Sequence, residues 1–428
     1  MRLSRKKRQL FMVQIIVALS TFILILLGYL LYTGVGQENT NNVESDTFQI
    51  SQENATAASK ETTRQKVDEI VQDQESKEYI NDTLKGEENV EQQANEILSK
   101  MTLREKVGQT MIVGFNSPTI DDHITKMIEE YHVGGVILFD RNMKTKDQVA
   151  KLNKDLQQLS TDSSGLPLLM GVDQEGGQIV RMRDQVSPIP SQQQLGQTSL
   201  AGGVYDTAKR TGEELLSMGF NLNFAPVVDL SSTDSRSFGE DPQKVHSFGR
   251  QVVRGMVDSG ITATLKHFPG NGRSNVDPHV ETSSVQADKL DLENSDIYPF
   301  KQMIKEVDND QFFVMVTHIK YPAYDKDNPA SISKVIIQDL LKEQLGFKGL
   351  VVTDDLEMGA VNKYFTYEDL GSKAVQSGAD LLLVCHTLAN QEAVFNGILE
   401  AVESKELSEA RIDDAVRGIL IHKLLSND

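Results

Sequence analysis

The stretch Ile261-Thr262-Ala263-Thr264-Leu265-Lys266-His267-Phe268-Pro269-Gly270-Asn271-Gly272-Arg273-Ser274-Asn275-Val276-Asp277-Pro278-His279 joins two kinds of chain. From Ile261 to Leu265 it is a run with the apolar and β-branched residues that suit a strand. At Lys266 and His267 it turns polar, and a loop rich in Gly, Asn and Pro follows. Strand tips and the loops after them are where α/β proteins carry their chemistry, because a rigid element fixes the side chain while the loop is free to vary. Within the loop Asp277 and His279 lie two positions apart. That is close enough for a carboxylate to orient an imidazole, which then shuttles a proton near neutral pH.

Outward from this strand the same design repeats. Short apolar runs recur at Met111–Phe115, Val133–Phe139, Leu168–Val172, Leu222–Val228, Thr262–His267, Phe312–Thr317, Leu350–Thr353 and Leu381–Val384. Their apolar character is continuous rather than alternating, as in strands buried on both faces. Helical patterns fall between them, at Ile120–Glu130, Lys146–Leu159, Val204–Met218, Pro242–Ser259, Ile297–Val307, Lys334–Leu345, Tyr367–Ser377 and Gln391–Ser404. Each has apolar residues at three- and four-residue spacing. Eight strands alternating with helices predict an α/β fold, a closed (β/α)8 barrel of TIM type; an open doubly wound sheet has the same alternation. No G-x-G-x-x-G turn follows the first strand, which argues against a dinucleotide cofactor.

The residues just past these runs are polar and ionisable. Asp173 follows the third run, Asp229 the fourth, His318 the sixth and Asp354-Asp355 the seventh, while Lys266 and His267 end the fifth. In a closed barrel they converge on the face where such barrels hold their active sites.

Composition bounds the partners. The 428-residue chain carries a formal charge of -19, whereas a nucleic-acid partner calls for basic patches, so none is expected. Arg2, Arg5, Lys6, Lys7 and Arg8 precede an uncharged, mostly apolar run from Leu10 to Tyr32, about the 20 residues a membrane-spanning helix needs. The basic flank predicts a cytoplasmic segment over residues 1–9, a transmembrane signal anchor over 10–32, and export of the remainder. A cleaved signal peptide would have a shorter apolar core and a small-residue cleavage site, which Thr33-Gly34-Val35-Gly36 matches poorly. The sole cysteine, Cys385, is far from the anchor, so neither a lipid-bearing cysteine behind it nor an internal disulfide is available. Residues 33–93 are rich in Gln, Asn, Glu, Thr and Ser and cannot bury enough apolar surface to offset their ordering entropy; a mostly disordered linker is expected there, with helical character over 61–80. The folded domain is expected over 94–428, with Thr102 and Glu105 forming a capping box near its start.

The chemistry points to sugar. Asp354 directly follows Gly349-Leu350-Val351-Val352-Thr353, so a rigid strand would fix its carboxylate opposite the proton shuttle in the Asp277–His279 loop. A fixed carboxylate facing an acid suits double displacement at an anomeric carbon, one group attacking while the other protonates the departing oxygen. Asp277 would then hold the His279 ring in its tautomer, as the third member of a catalytic triad does. No metal centre is indicated, since His267, His279 and His318 lack ligand spacing and no cysteines join them. Nor is there a phosphate-cradling loop. Trp is absent, which leaves Phe, Tyr or His for sugar stacking; Phe238 and Phe268 are candidates and equally suit the core.

Several segments resemble glycoside hydrolase family 3, and in particular its short-chain β-N-acetylhexosaminidases. They are Val172-Asp173-Gln174-Glu175-Gly176-Gly177 with Arg181, Asn223-Phe224-Ala225-Pro226-Val227-Val228-Asp229, Arg236-Ser237-Phe238-Gly239-Glu240-Asp241-Pro242, Lys266-His267-Phe268-Pro269-Gly270, Asp277-x-His279 and Thr353-Asp354-Asp355-Leu356-x-Met358. The resemblance runs from about Leu98 to Lys423 and keeps the family's motif order. It implies a retaining hydrolase that removes terminal β-linked N-acetylglucosamine, typically from peptidoglycan fragments. It also implies Asp354 as nucleophile, His279 as acid/base paired with Asp277, and Asp173, Arg181, Arg236, Lys266 and His267 as holders of sugar hydroxyls and the N-acetyl group. No cofactor is implied; the expected partners are a carbohydrate and, through the N-terminal helix, a membrane.

Two positions depart from the family pattern. Asn271 replaces the first histidine of P-G-H-G, and Pro278 replaces the serine of D-S-H, biasing Asp277 towards an extended backbone. Arg236 either pairs with Asp241 inside a loop or contacts substrate directly, and Asp355 is expected to support its neighbours. With no second domain after residue 428, the barrel alone is expected to form the site. A β-glucosidase, a glycosyl phosphorylase and a non-catalytic wall-binding module are the alternatives on the same fold. A loop histidine is compatible with phosphorolysis because it would not repel an incoming phosphate dianion as a carboxylate would.

Overall fold

The computed structural model describes residues 87–274 and 283–426. Its strands are β1 (Met111–Val113), β2 (Gly135–Leu138), β3 (Leu169–Val172), β4 (Leu222–Asn223), β5 (Thr262–Phe268), β6 (Phe312–Val316), β7 (Lys320–Tyr321), β8 (Asp325–Pro329), β9 (Val351–Thr353) and β10 (Leu382–Val384). Eight of them form one parallel sheet in the order β10-β1-β2-β3-β4-β5-β6-β9, and β7 pairs with β8 as a separate antiparallel ribbon. The sheet meets itself at a parallel bridge between Val352 and Leu381. There Thr353 N–H donates to Leu381 O, and Leu381 N–H to Val351 O, each at 3.0 Å. Closure makes this a (β/α)8 barrel of TIM type and excludes the open sheet.

The continuous apolar runs are explained by burial on both faces. Ile112, Ile137, Leu169, Leu222, Phe313, Met315, Val352 and Leu383 point inward and pack with one another inside the barrel. Their neighbours Met111, Val113, Val136, Leu138, Met170, Val314, Val351 and Val384 point outward into the layer beneath the helices. Gly171 occupies an inward position of β3 because a Cβ there would meet the Phe224 ring at 2.8 Å.

The ladder is shorter than the apolar runs suggest. Over Leu222–Val228 the regular strand is only Leu222–Asn223, and pairing resumes at a Val227–Lys266 bridge. Pro226, between them, has no N–H to donate, though its carbonyl accepts from Lys266 N–H at 3.2 Å. The helix expected over Lys334–Leu345 is wound as a π-helix over Val335–Gln344, closing with Leu345 N–H to Leu340 O at 2.9 Å. The capping box forms as expected: Thr102 Oγ1 accepts from Glu105 N–H, and Glu105 returns the bond to Thr102 N–H at 2.7 Å.

The pattern of eight strands and eight helices does not include the element that seals one end. The helix Glu409–Leu425 sends Ile419 into the inner core. Its His422 ring packs 4.7 Å from Phe313 and bonds Thr262 Oγ1 at 3.1 Å. Thr262 starts β5, so this helix closes the end where the strands begin, leaving the other end for a ligand. The helix Glu87–Lys100 packs on it, with Arg417 Nε donating to Asn95 Oδ1 at 2.9 Å. Residues 87–93 of that helix fall within the stretch read from composition as linker. No helix among the described residues is long and apolar enough to cross a membrane; the proposed anchor, 10–32, lies outside them.

The sealing helix also buries an amine. Lys423 is 4% exposed, its Nζ donates to Gln109 Oε1 at 2.8 Å, and burial holds its pKa down to about 7. Unfolded, the same group titrates at about 10.4. Between these values the unfolded chain binds the extra proton, so this residue makes stability rise with pH across that window. Lys423→Met is therefore expected to gain stability relative to wild type below pH 7, offset in part by leaving Gln109 Oε1 without its donor, and to lose that gain progressively towards pH 10. Urea unfolding at pH 6 and pH 9 checks this; a variant less stable than wild type at pH 6 would refute it.

Candidate active site

The strand ends converge as the barrel requires. Asp173, Arg181, Arg236, Lys266, His267 and Asp354 line one pocket of about 290 Å³, together with Glu175, Phe139, Asp355 and His386. Asp277 and His279 lie outside the described residues.

One wall is a buried charge cluster. Lys266 Nζ, 3% exposed along its side chain, bonds Asp173 Oδ1 at 2.7 Å and Glu175 Oε1 at 2.6 Å. Arg236 grips the same Glu175 with both arms, Nε to Oε2 at 2.7 Å and Nη2 to Oε1 at 2.8 Å. Burial alone would raise the Glu175 carboxyl, but Lys266 and Arg236 hold it far below the usual carboxylate range. Lys266 is likewise disfavoured by burial, yet Asp173 and Glu175 raise its pKa and keep it charged. Adjacent strand residues normally face opposite ways. A register shift between Leu265 and Phe268 on β5 lets Lys266 and His267 both serve the pocket.

His267 is fixed by Asp229. Asp229 Oδ2 lies 2.7 Å from His267 Nδ1, and Asp229 Oδ1 accepts from the backbone N–H groups of His267 at 3.1 Å and Asn271 at 2.7 Å. With Nδ1 thus engaged, Nε2 is the ring atom available to a ligand. These bonds and the His267 ring offset burial and lower the Asp229 pKa. Asn271 is held here through its backbone N–H.

Asp354 closes the constellation from β9. Its backbone N–H reaches Val316 O on β6 at 3.0 Å, and its Oδ1 accepts from Asp355 N–H at 2.9 Å. Oδ2 accepts no hydrogen bond from the described residues. Burial would raise this carboxyl, but the neighbouring imidazoles, the Asp355 N–H and the Lys266 charge lower its pKa, so the group is anionic at neutral pH. Burial also lowers the pKa of His318 and favours its neutral form.

The structure decides several readings that the sequence left open. His318 does not join the pocket lining: its ring is buried, with Nδ1 at 2.7 Å from Ser331 Oγ and Nε2 at 2.9 Å from Asp355 O, behind the acidic pair. Arg236 pairs with Glu175, not Asp241, which caps the helix Pro242–Val257 by accepting from Gln243 N–H at 2.9 Å. Arg236 nevertheless lines the pocket too. Phe238 and Phe268 are core residues, packed edge-on against Phe248 and Phe300. Arg181 reaches Asp140 at 3.0 Å and Asp173 at 3.9 Å, while its Nε is a buried donor without a partner.

Three pocket residues were missed. Glu175 sits inside the motif whose strand-end signal is Asp173, and Phe139 is the last residue of an apolar run, so neither stands out in the sequence. His386 follows the eighth run, and the rule that found Asp173 and Asp354 finds it when carried one strand further.

Glu175→Gln removes the charge that Arg236 and, together with Asp173, the buried Lys266 depend on. It is expected to cost about 3–5 kcal/mol of folding stability, as when one partner of a buried pair is deleted. Chemical denaturation checks this; a shift under about 1 kcal/mol would mean the cations find other partners.

Comparison with known proteins fits this geometry. The family model described as the glycosyl hydrolase family 3 N terminal domain matches residues 102–421. A β-hexosaminidase of Hydrogenovibrio crunogenus is 34% identical over 322 residues, covering 72% of this chain and 87% of the relative. β-Hexosaminidase A of Pseudoalteromonas piscicida is 31% identical over 329 residues, and the matched part of this chain spans only 55% of that relative. Among solved structures, a family 3 β-N-acetylglucosaminidase from Paenibacillus sp. superposes with a TM-score of 0.74 at 38% identity, over 76% of this chain and 63% of that one. With the matched region spanning nearly the whole barrel and the strand-end residues gathered in one pocket, the chain belongs to glycosyl hydrolase family 3.

Proposed function

We propose that this protein is a retaining, exo-acting β-N-acetylglucosaminidase that removes terminal β-linked N-acetylglucosamine from peptidoglycan fragments or related glycans. The observation that carries this reading is Asp354: an anionic carboxylate fixed at the tip of β9, in a pocket whose opposite wall is the Asp173–Lys266–Glu175–Arg236 cluster. Charged donors and acceptors of this kind bind sugar hydroxyls strongly. The pocket is at the small end of ligand sites, which suits one terminal sugar unit. The β-hexosaminidase relatives support the same substrate class.

In the proposed reaction Asp354 Oδ2 attacks the anomeric carbon, while protonated His279 gives its proton to the departing glycosidic oxygen. The C–O bond to the aglycone breaks as the glycosyl ester forms. His279, now neutral, takes a proton from water, the oxygen of that water attacks the same carbon, and Asp354 leaves as carboxylate. Two inversions retain the configuration. Asp277 orients His279 and stabilises its cation. His267, fixed by Asp229, and Arg181, which also lines the pocket, contribute donors to the sugar.

Asp354→Ala is expected to lower release of a chromogenic aglycone from a β-N-acetylglucosaminide by about 10⁴-fold or more, as loss of a nucleophile does. Product analysis should give the β-anomer first. His279→Ala should slow a disaccharide more than an aryl glycoside, whose leaving group needs less protonation. Near-full turnover by the Asp354 variant, or an α product, refutes the mechanism.

The placement proposed is a single-pass anchor over residues 10–32 with the barrel outside the cytoplasmic membrane, supported by the basic residues before an uncharged apolar run. Protease added to intact spheroplasts should degrade the barrel and spare a cytoplasmic control. Protection of both would place the barrel inside.

A further inference from the structure

The pocket is graded in depth. Lys266, His267, Glu175 and Asp229 are buried, whereas the opposite wall, built from the ends of β2 and β10, is open. His386 is its most exposed member, with 46% of its side chain accessible. In an exo-acting pocket the terminal sugar occupies the deep polar end, and the unit that departs lies towards the mouth. That mouth is lined by the Phe139 and His386 rings. Phe139 backs His386, with ring centroids 5.4 Å apart and planes inclined at 34°. The Arg141 guanidinium sits 4.4 Å from the Phe139 centroid and is held by the Phe115 and Cys385 carbonyls at 2.8 and 2.7 Å. One end of the stack is thus fixed to backbone.

The His386 ring is also fixed. Its Nε2 lies 3.1 Å from Asp355 Oδ2, on the residue after Asp354, and Asp355 Oδ1 accepts from Cys385 N–H at 3.2 Å. Glu357 holds the loop behind the ring, accepting from the N–H groups of His386 and Thr387 and from Asn390 Nδ2. These bonds hold the side chain at the surface without burying it, which a residue serving only the core would not need.

We propose that the exposed face of the His386 ring is the platform for the sugar unit on the leaving side of the cleaved bond. His386 is then a specificity-determining residue, with Phe139 and Asp355 positioning its ring. Flat rings pack against the apolar face of a pyranose, and a ring already held in place loses little freedom on binding. This inference rests on the glycosidase reading above.

The test uses the full chain with His386→Ala and His386→Phe, a β-linked disaccharide of N-acetylglucosamine as substrate, and free N-acetylglucosamine as a competitive inhibitor that fills only the deep end. His386→Ala is expected to raise the disaccharide KM roughly tenfold, the scale of losing one well-placed ring contact, while the inhibition constant of N-acetylglucosamine stays within about twofold. His386→Phe is expected to keep the wild-type KM within about threefold. An unchanged disaccharide KM in His386→Ala, a parallel rise in both constants, or a Phe variant as weak as the Ala variant overturns the proposal. If the wild-type chain cleaves no N-acetylglucosaminide at all, the glycosidase reading itself fails and this inference falls with it.

Discussion

The site depends on one carboxylate shared by two cations. Glu175 is buried between Lys266 and Arg236, and without it two positive charges would face each other in a low dielectric. Such an arrangement tolerates burial only because every charge has short, directed partners. It fixes Lys266, which in turn holds Asp173 and contributes to the field that keeps Asp354 ionised. The polar wall is therefore preorganised before any sugar arrives, which is what electrostatic stabilisation of a transition state requires.

Barrel closure makes that wall possible. Asp173 on the tip of β3, Lys266 on β5 and Asp354 beyond β9 are far apart in sequence, and only a sheet that returns to its own first strand brings all three around one axis. The helix Glu409–Leu425 plugs the opposite end with Ile419 and His422. The cost is Lys423, a buried amine satisfied by a single glutamine oxygen.

The two halves of the mouth divide the work by chemistry. Strands β3 to β5 supply charge and directed hydrogen bonds suited to hydroxyl groups. Strands β2 and β10 supply Phe139 and His386, backed by a guanidinium anchored to main-chain carbonyls. Asp354 and Asp355 stand between them, one facing the polar side and the other bracing His386.

Much of this was legible in the residues. Strands buried on both faces must be apolar throughout, so the eight runs stood out, and chemistry at a strand tip must interrupt such a run, so Asp173, Lys266, His267 and Asp354 could be picked from the sequence itself. Partnership was not legible. A strand-end ionisable residue looks the same whether it lines a pocket, as Lys266 does, or sits behind it, as His318 does, and the sequence leaves Arg236 free to pair with Asp241 or with a ligand. Glu175 acquires its meaning only when β3 is brought beside β5, and His386 only when β10 is brought within a ring contact of Phe139 at the end of β2. Local physics sets which segments are strands and where they become polar. The pairing of charges drawn from distant strands is decided by tertiary closure, because electrostatic and hydrogen-bond energies depend on distance in space and not on separation along the chain.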